Sequence, residues 1–302
     1  MRGLVACLIA FLLVSGCENF RHSSGTSLQY KPAGSLRLAS FNVHYILLNK
    51  KKGRWSRGDW ERRKQPMDAA FKALDADIVA FQEMETFAGS DDDSENLARS
   101  WLLSNNLDYR AAAIGDWRNF PSTQPVFYRV DRFDILDQGW FFFSDTPNIL
   151  YSRTFNGSYP AFASWVHFRD RETNSNFRLI NVHFDYASRD NRRRSTDLVA
   201  RRLAPWIEAG ETVFLAGDLN ARLGSSLHKT LQSIGLAFVP IRGSTYHFDL
   251  GLNLFSAIDH IGYTTDVVPL GDPVVVREKF GKTWPADHYP LVADFRLQPP
   301  SK

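Results

Sequence analysis

The segment from Val213 to Asn220 constrains the fold more than any other part of the chain. Four apolar residues, Val213 to Ala216, precede the tetrapeptide Gly217-Asp218-Leu219-Asn220. A short apolar run bounded by turn residues is typical of a strand that is buried on both faces. Asp218 and Asn220 are two positions apart, so in an extended chain both side chains point to one side. The pattern predicts either a polar site at this strand end or a simple Asp/Asn turn.

Other strand-like runs in the chain also end in polar residues. Asn42 closes a run that begins at Leu36, and Glu83 follows the run from Asp77 to Gln82. Each such residue has an ordinary explanation as a turn residue, a surface carboxylate, a core histidine or a helix cap. Several together indicate that the strand ends converge on one crevice. The residues concerned are Asn42, Glu83, His183, Asp185, Asp218, Asn220, Asp259, His260, Asp287 and His288.

Strand-like segments outnumber helical ones, and several follow one another without a crossover helix. Examples are Phe133 to Phe143, Phe162 to Phe168 and Phe177 to His183. This order argues against a purely parallel, doubly wound sheet. We therefore predict an α/β (α+β) fold, a four-layer α/β/β/α sandwich of two packed mixed β-sheets flanked by helices. The main helical segments are Trp60 to Leu74, Arg189 to Glu208 and Leu227 to Ile234.

Two further segments bear on function. The aromatic run Trp140 to Phe143 lies within a strand pattern, which favours core packing over a hairpin that dips into a membrane. The loop Lys50 to Arg54 is basic, and we expect it to be solvated.

The first residues have the pattern of an export signal. Arg2 precedes the apolar run Leu4 to Val14, which is too short to span a bilayer. The run ends in Leu13-Val14-Ser15-Gly16-Cys17, which is similar to the lipobox of bacterial lipoproteins; the alternative is an ordinary signal peptide with an unrelated cysteine. We expect a lipoprotein signal peptide at 1–16, lipidation of Cys17, a flexible tether at 17–35 and one domain at 36–298. The protein would then be exported and anchored by lipid to the inner or outer bacterial membrane.

Cysteine usage limits the chemistry of any metal site. The 302 residues include two cysteines, Cys7 in the signal and Cys17 at its end. Once the signal is cleaved and Cys17 is lipidated, no thiol remains, so metal ligands must be oxygen or imidazole. The net charge of +3 permits an anionic substrate without requiring one.

Six motifs in the chain resemble those of one enzyme superfamily in order and approximate spacing. They are Ser40-Phe41-Asn42-Val43, Phe81-Gln82-Glu83, Asn181-Val182-His183-Phe184-Asp185, Gly217-Asp218-Leu219-Asn220, Ile258-Asp259-His260-Ile261 and Ala286-Asp287-His288-Tyr289-Pro290. The superfamily is the endonuclease/exonuclease/phosphatase (deoxyribonuclease-I-like) superfamily, and the resemblance covers about Leu36 to Leu297. Ala286 stands where the closing motif usually has Ser, and Ala161 stands where many bacterial relatives have Arg.

The resemblance implies a phosphoric ester hydrolase that depends on Mg²⁺ or Mn²⁺. Magnesium takes oxygen ligands and often uses only one or two carboxylates besides water and substrate phosphate. The metal ligands implied are Glu83, Asp287 and Asn42. The catalytic residues implied are His183, Asp218, Asn220, Asp259 and His288, and the phosphate-binding residues are Asn220, His183 and Arg192.

The residue types suggest how a water could be activated. His288 is the candidate base or charge stabiliser. Neighbouring residues of an extended chain face opposite ways, so Asp259 is better placed than Asp287 to orient the His288 ring. His183 is the candidate acid or phosphate ligand. Which of His183, Asp218 and His288 moves each proton stays open, because coupled groups share their titration.

Three functions fit the sequence. A phosphodiesterase, in particular a nuclease, is suggested by the basic residues Arg189, Arg192, Arg193 and Arg194, although these also fit a solvated helix face. A phosphatase or a phospholipid phosphodiesterase of the sphingomyelinase type is suggested by the membrane anchor. A catalytically silent binding module would have lost ligand residues, and none is lost here. We expect a monomer whose partners are the phosphate ester, from nucleic acid or a small molecule, and the membrane.

Overall fold

The computed structural model describes residues 28–87, 95–157 and 159–297. The predicted signal peptide, Cys17 and residues 18–27 of the predicted tether lie outside these ranges. The strands are β1 Leu36–Asn42, β2 Ile46–Leu47, β3 Ile78–Gln82, β4 Thr86–Phe87, β5 Tyr109–Ala112, β6 Val126–Arg129, β7 Phe133–Phe142, β8 Phe162–Asp170, β9 Ser175–His183, β10 Thr212–Asp218, β11 Leu236–Phe238, β12 Asp259–Thr264, β13 Val268–Val275 and β14 Leu291–Arg296. The helices are α1 Arg57–Leu74, α2 Leu97–Asn105, α3 Arg189–Glu208 and α4 Ser226–Gln232.

Two six-stranded sheets form the centre of the molecule. The strand order is β13-β14-β1-β3-β6-β5 in the first sheet and β11-β12-β10-β9-β8-β7 in the second. The pairs β1/β3 and β9/β10 are parallel, and the other pairs in both sheets are antiparallel. Both sheets are therefore mixed, and the predicted fold class is confirmed.

Each central strand is buried on both faces. In β3, Ile78 and Ala80 belong to the core between the sheets, whereas Val79 and Phe81 belong to the core beneath the helices of the first sheet. Alternate residues of a strand point to opposite faces, so a strand covered on both sides is apolar at every position. The uninterrupted apolar run in β10 has the same cause.

The helices cover the outer faces of the sandwich. Phe71 and Leu74 of α1 pack in the cluster that includes the outer face of β3. Val199 and Leu203 of α3 pack in the cluster that includes the outer face of β10. Helix α1 begins at Arg57, three residues before the predicted start, because Ser56 caps it by accepting a hydrogen bond from the Asp59 amide at 3.1 Å.

The aromatic run at the end of β7 lies in the core. Phe141, Phe142 and Phe143 are at most 2% exposed, so this run is not a membrane-dipping hairpin. Across the ranges that the structure describes, none of the helices combines the length and apolarity needed to cross a bilayer.

The segment before β1 packs against the start of that strand. Arg37 Nη2 donates to the Gln29 carbonyl oxygen at 2.9 Å, and Lys31 Nζ lies 2.7 Å from Asp77 Oδ1. Asp77 also accepts from the Arg37 amide at 2.7 Å. The chain therefore enters the sandwich at the first residues of β1, and Asn42 lies at the far end of the same strand.

Gly217 is required where β10 approaches β9. Its φ is +144°, and a Cβ atom at this position would lie 1.9 Å from the Val182 carbonyl oxygen. A side chain here would push the parallel strands apart. The next residue, Asp218, pairs with His183 in the same register.

We expect Gly217→Ala to lower the free energy of unfolding by much more than Gly210→Ala, measured by chemical denaturation. Gly210 also has a positive φ, of +77°, but no atom lies within 4 Å of its added Cβ. The control substitution therefore carries only the conformational cost, about 1–2 kcal/mol. Equal losses for the two variants would show that the close approach of β9 and β10 is not a constraint.

Candidate active site

Polar residues from both sheets meet in one cleft at the ends of the strands. The cleft has a volume of about 920 Å³. Strands β1, β3, β9 and β10 end beside it, and β12 begins there. Of the residues expected from the sequence, Glu83, His183, Asp218, Asn220, Asp287 and His288 line it.

Glu83 is held at the end of β3 by an unusual backbone conformation and by Asn42. Its φ is +54°, in the left-handed region that non-glycine residues seldom adopt. Asn42 Nδ2 lies 3.1 Å from Glu83 Oε1 and 3.4 Å from Asp218 Oδ2. Asn42 Oδ1 accepts from the His44 amide at 3.3 Å. In this orientation the Asn42 amide nitrogen faces both carboxylates.

Asp218 lies at the centre of the site. His183 Nε2 and His288 Nε2 are each 3.8 Å from Asp218 Oδ2. The Asn220 amide donates to Asp218 Oδ1 at 2.8 Å, in a tight turn where Asn220 has a φ of +47°. Asn220 Nδ2 donates to the Phe184 carbonyl oxygen at 2.8 Å. The turn that the sequence suggested at this strand end is thus present together with the site.

His288 is paired with Asp259. Its Nδ1 lies 2.9 Å from Asp259 Oδ2, and both residues are buried. Asp259 stands opposite Asp218 in the β10/β12 register, so the antiparallel pairing brings both carboxylates beside one imidazole. A carboxylate on Nδ1 fixes the ring and leaves Nε2 directed at the reaction centre.

The pKa values of the imidazoles of His288 and His183 are shifted in opposite directions. Burial lowers the pKa of His288, but the charges of Asp259 and Asp218 outweigh it and raise the pKa to about 10. Burial, with a smaller contribution from the charge on His288, lowers the pKa of His183 to about 4. At neutral pH the metal-free site therefore contains one imidazolium and one neutral imidazole.

The same surroundings shift the pKa values of the carboxyl groups. Burial and the neighbouring carboxylate of Asp259 hold the pKa of Asp218 well above its usual range, against the charge on His288. For Asp259, the charge and hydrogen bond of His288 outweigh burial and lower the pKa. Burial also raises the pKa of Asp287. A further positive charge in the cleft would favour the ionised form of these carboxyl groups.

The donor atoms fit a divalent cation. Two groups of side chains place one donor atom each within 4.8 Å of one another: Asp218, Asp259 and His288, and His44, Asp249 and Asp287. The carboxylate oxygens of these groups are the ligands that suit Mg²⁺ or Mn²⁺. Glu83 Oε1 lies 3.8 Å from His183 Nε2.

Two residues beside Asp287 were not identified from the sequence. Arg54 Nη2 lies 2.8 Å from Asp287 Oδ2, and Arg54 Nε lies 3.1 Å from Asp249 Oδ2. His44 Nδ1 lies 3.7 Å from Asp287 Oδ1. The Arg54 side chain is 41% exposed, so it is partly solvated as expected, and its guanidinium also binds Asp287 in the cleft and Asp249 beside it.

Arg192 and its basic neighbours are engaged elsewhere. Arg192 Nη1 donates to the carbonyl oxygens of Asp185 and Tyr186 at 2.7 and 2.9 Å, and Arg192 is not among the residues that line the cleft. Arg193 pairs with acidic residues of its own helix, and Arg194 pairs with Asp145. The arrangement matches the solvated helix face that the sequence left open.

Two other residues of the predicted crevice have structural contacts. Asp185 Oδ1 accepts from the amides of Ala187 and Ser188 at 2.9 and 2.7 Å, just before α3. His260 Nε2 lies 2.8 Å from the Ala221 carbonyl oxygen, because neighbouring strand residues face opposite sides.

Aromatic side chains form much of the cleft wall. The rings of Tyr45 and Trp55 are stacked with centroids 5.7 Å apart and planes at 8°, and Phe87 lies 5.5 Å from Tyr45. Tyr186 is 68% exposed at the rim. The aromatic lining residues are Tyr45, Trp55, Phe87, Tyr151, Tyr159, Phe162, Tyr186 and Tyr246.

The two-sheet sandwich and its cleft of carboxylates and imidazoles are those of a phosphoric ester hydrolase. The chain belongs to the Endonuclease/Exonuclease/phosphatase family, whose sequence model matches residues 39–288. The superfamily expected from the six motifs is thereby confirmed.

Solved structures share this fold. An endonuclease/exonuclease/phosphatase family protein from Bacteroides thetaiotaomicron is 24% identical, with a TM-score of 0.71 over 89% of this chain and 100% of that chain. A mannosyl-6-phosphatase of the same species is 23% identical, with a TM-score of 0.71 over 86% of this chain and 99% of that chain. TDP2 of D. rerio, complexed with a single strand DNA product, is 14% identical, with a TM-score of 0.60 over 86% of this chain and 98% of that chain. No curated protein sequence matches the chain.

We expect Asp259→Asn to lower the pKa of His288 by about 1–3 units, because it removes the charge nearest to the ring. The measurement is an NMR titration of the imidazole in the metal-free protein. Asp197→Asn is the control, since Asp197 pairs with Arg193 on the exposed face of α3. An unchanged pKa in Asp259→Asn would contradict the pairing.

Proposed function

We propose that the protein hydrolyses small phosphoric esters in the cleft at the strand ends, with a bound Mg²⁺ or Mn²⁺. The observation that carries the proposal is the meeting of Asp218, His183 and the His288–Asp259 pair around one centre. A bound divalent ion would neutralise phosphoryl oxygens and act as a Lewis acid. Glu83 and Asp287 would hold it, with Asn42 orienting Glu83.

The reaction consumes one water. Its oxygen forms a bond to phosphorus, and the bond between phosphorus and the leaving oxygen breaks. One proton of the water passes to a base in the cleft, and the leaving oxygen takes up a proton. Phosphate, or a phosphate monoester if the substrate is a diester, is released with an alcohol.

The three central side chains suit different parts of this reaction. Asp218 has a raised pKa, which suits a carboxylate that accepts the proton of the water. His288, kept protonated by Asp259, supplies positive charge at Nε2 to the phosphoryl group or the leaving oxygen. His183 is neutral and offers a ring N–H to the phosphate.

The cleft wall favours a small ester that carries a ring. Stacked aromatic side chains bind the faces of sugar or nucleobase rings. A polynucleotide would instead need many cationic contacts to its phosphates. In the basic cluster at the start of α3, Arg192, Arg193 and Arg194 are already paired with acidic or carbonyl groups. The fold shared with a mannosyl-6-phosphatase supports the same choice.

A phosphodiesterase, in particular a nuclease, is the second candidate. It is supported by the fold shared with TDP2 in its complex with a single strand DNA product. Parallel assays with added Mg²⁺ would separate the candidates: hydrolysis of a sugar phosphate, nicking of a supercoiled plasmid and hydrolysis of phospholipid vesicles.

We expect Glu83→Gln to lower kcat about 100-fold or more on p-nitrophenyl phosphate or bis-p-nitrophenyl phosphate with Mg²⁺, because a neutral amide neither holds the cation nor balances its charge. Glu95→Gln is the control, since Glu95 pairs with Arg57 on the exposed surface and does not line the cleft. Turnover in Glu83→Gln that equals wild type would remove Glu83 from the metal site. A wild-type protein without activity on any ester would overturn the proposed function.

We also propose that the protein is exported and anchored to the bacterial membrane by a lipid on Cys17. The apolar run Leu4 to Val14 and the lipobox-like sequence that ends at Cys17 support this proposal.

In cells that express the full chain, we expect Cys17→Ser to move the protein from the membrane fraction to the soluble fraction or to leave its signal uncleaved. Loss of metabolic labelling with a fatty acid would show the same change. Cys7→Ser is the matched control and should remain labelled. Equal labelling of wild type and Cys17→Ser would contradict the anchor.

A further inference from the structure

Arg54 occupies a position beside Asp287 that a cation could otherwise fill. The donor atoms of His44, Asp249 and Asp287 lie within 4.8 Å of one another, a spacing that could hold a metal ion. The Arg54 guanidinium binds both carboxylates of this group, at 2.8 Å to Asp287 and 3.1 Å to Asp249. The protein therefore supplies its own positive charge at this edge of the cleft.

The guanidinium is held in place from several sides. Phe248 and Asp249 both have a φ of +60°, and this turn places the Asp249 carboxylate against Arg54. The guanidinium carbon also lies 5.2 Å from the Trp55 ring centroid. An arginine that is fixed in this way loses little further conformational freedom when it binds a ligand.

Arg54 remains accessible to a substrate. It lines the cleft, and its side chain is 41% exposed. The ion pairs with Asp249 and Asp287 engage Nε and Nη2, and a guanidinium has five N–H donors. Donors are thus available toward the cleft.

The charge of the cleft gives Arg54 a specific role. Among the described residues that line it, four are acidic (Glu83, Glu85, Asp218 and Asp287), and Arg54 is the one lysine or arginine. An anionic ester is repelled by such a wall unless positive charges face it. The His288 imidazolium, a divalent ion and Arg54 would together supply them.

A phosphate monoester uses a second cationic contact better than a diester does. A monoester is a dianion at neutral pH with three unesterified oxygens, whereas a diester is a monoanion with two. After a metal ion has engaged the phosphoryl group, the monoester still offers a charged oxygen to a guanidinium. The planar fork of arginine matches such oxygens.

We propose that Arg54 is a specificity-determining residue that binds the terminal phosphate of the substrate and makes the cleft selective for phosphate monoesters over diesters. The proposal rests on the hydrolase function proposed above. Asp249 is a positioning residue that acts through Arg54. The arginine then contributes to recognition of the phosphate, while the aromatic wall contacts the leaving group.

The test compares kcat and KM for p-nitrophenyl phosphate and bis-p-nitrophenyl phosphate with Mg²⁺ in wild type and in Arg54→Gln. We expect Arg54→Gln to lower kcat/KM for the monoester about 10- to 100-fold more than for the diester, mainly through KM. Arg54→Lys should recover part of the selectivity, because it keeps the charge but loses the fork. Asp249→Asn should also lower kcat/KM for the monoester more than for the diester, but by a smaller factor than Arg54→Gln does.

Arg118→Gln is the matched control. Arg118 pairs with Asp116 at 3.3 Å and lies 4.7 Å from the Trp117 ring centroid, as Arg54 does with Asp249 and Trp55, but it does not line the cleft. Arg118→Gln should leave kcat/KM unchanged for both the monoester and the diester.

Inorganic phosphate provides a readout that does not depend on turnover. Its affinity in the presence of Mg²⁺, measured by calorimetry, should fall about tenfold or more in Arg54→Gln and stay unchanged in Arg118→Gln. Equal losses on monoester and diester in Arg54→Gln, or no loss, would overturn the role of Arg54 while leaving the hydrolase function intact. A wild-type protein that binds phosphate but cleaves no ester would overturn the hydrolase function alone.

Discussion

The site depends on burying several carboxyl groups next to one another. Asp218 and Asp259 are each about 1% exposed and face each other across β10 and β12. Carboxylates removed from water at this distance repel each other, and the cost of burial is large unless positive charge compensates it. His288 supplies that charge between them, which explains why its pKa lies near 10. The antiparallel pairing of β10 with β12 fixes this distance, so the charge balance of the cleft follows from the fold.

The positions of the strands and their turns also set the distances between the polar side chains of the site. Gly217 lets β10 lie directly against β9, and this contact sets the distance from Asp218 to His183. Left-handed backbone conformations at Glu83 and Asn220 turn the chain at the strand ends and direct polar groups into the cleft. Such conformations cost energy and persist where the surroundings determine them. The site is therefore built on rigid strands with short, strained turns at their ends.

Many of the site residues could be predicted from the pattern of apolar and polar residues along the chain. Where such a prediction was not supported, the structure gives a physical reason. Strand ends such as Asp218 and Glu83 were identifiable because a buried apolar run that ends in a carboxylate is rarely placed there without compensation. The pairing of His288 with Asp259 followed from the alternation of side chains along an extended chain. Arg192 looked suited to bind phosphate, but its Nη1 donates to backbone carbonyl groups near the start of α3, and Arg192 does not line the cleft.

The residues near Asp287 that were missed lie in loops whose course the local pattern does not determine. Arg54 and Asp249 are almost 200 positions apart, and only the tertiary fold brings them together. A run of lysines before Arg54 favoured a solvated loop, because nothing in the sequence marks which cation of such a run turns inward. His44 is two positions after Asn42, but its inward position depends on a φ of +64° that no neighbouring residue indicates.

The entry point of the chain bears on which compartment supplies the substrate. Residues Gln29 and Lys31 are fastened beside the first residues of β1, whereas the cleft opens beyond its last residue, roughly 20 Å away along the strand. If Cys17 carries a lipid, the tether joins the sandwich at the end opposite the cleft. Dissolved esters can then enter the cleft without passing between the domain and its point of attachment. Such an orientation would suit an enzyme that draws dissolved esters from the surrounding fluid while it stays attached to the cell.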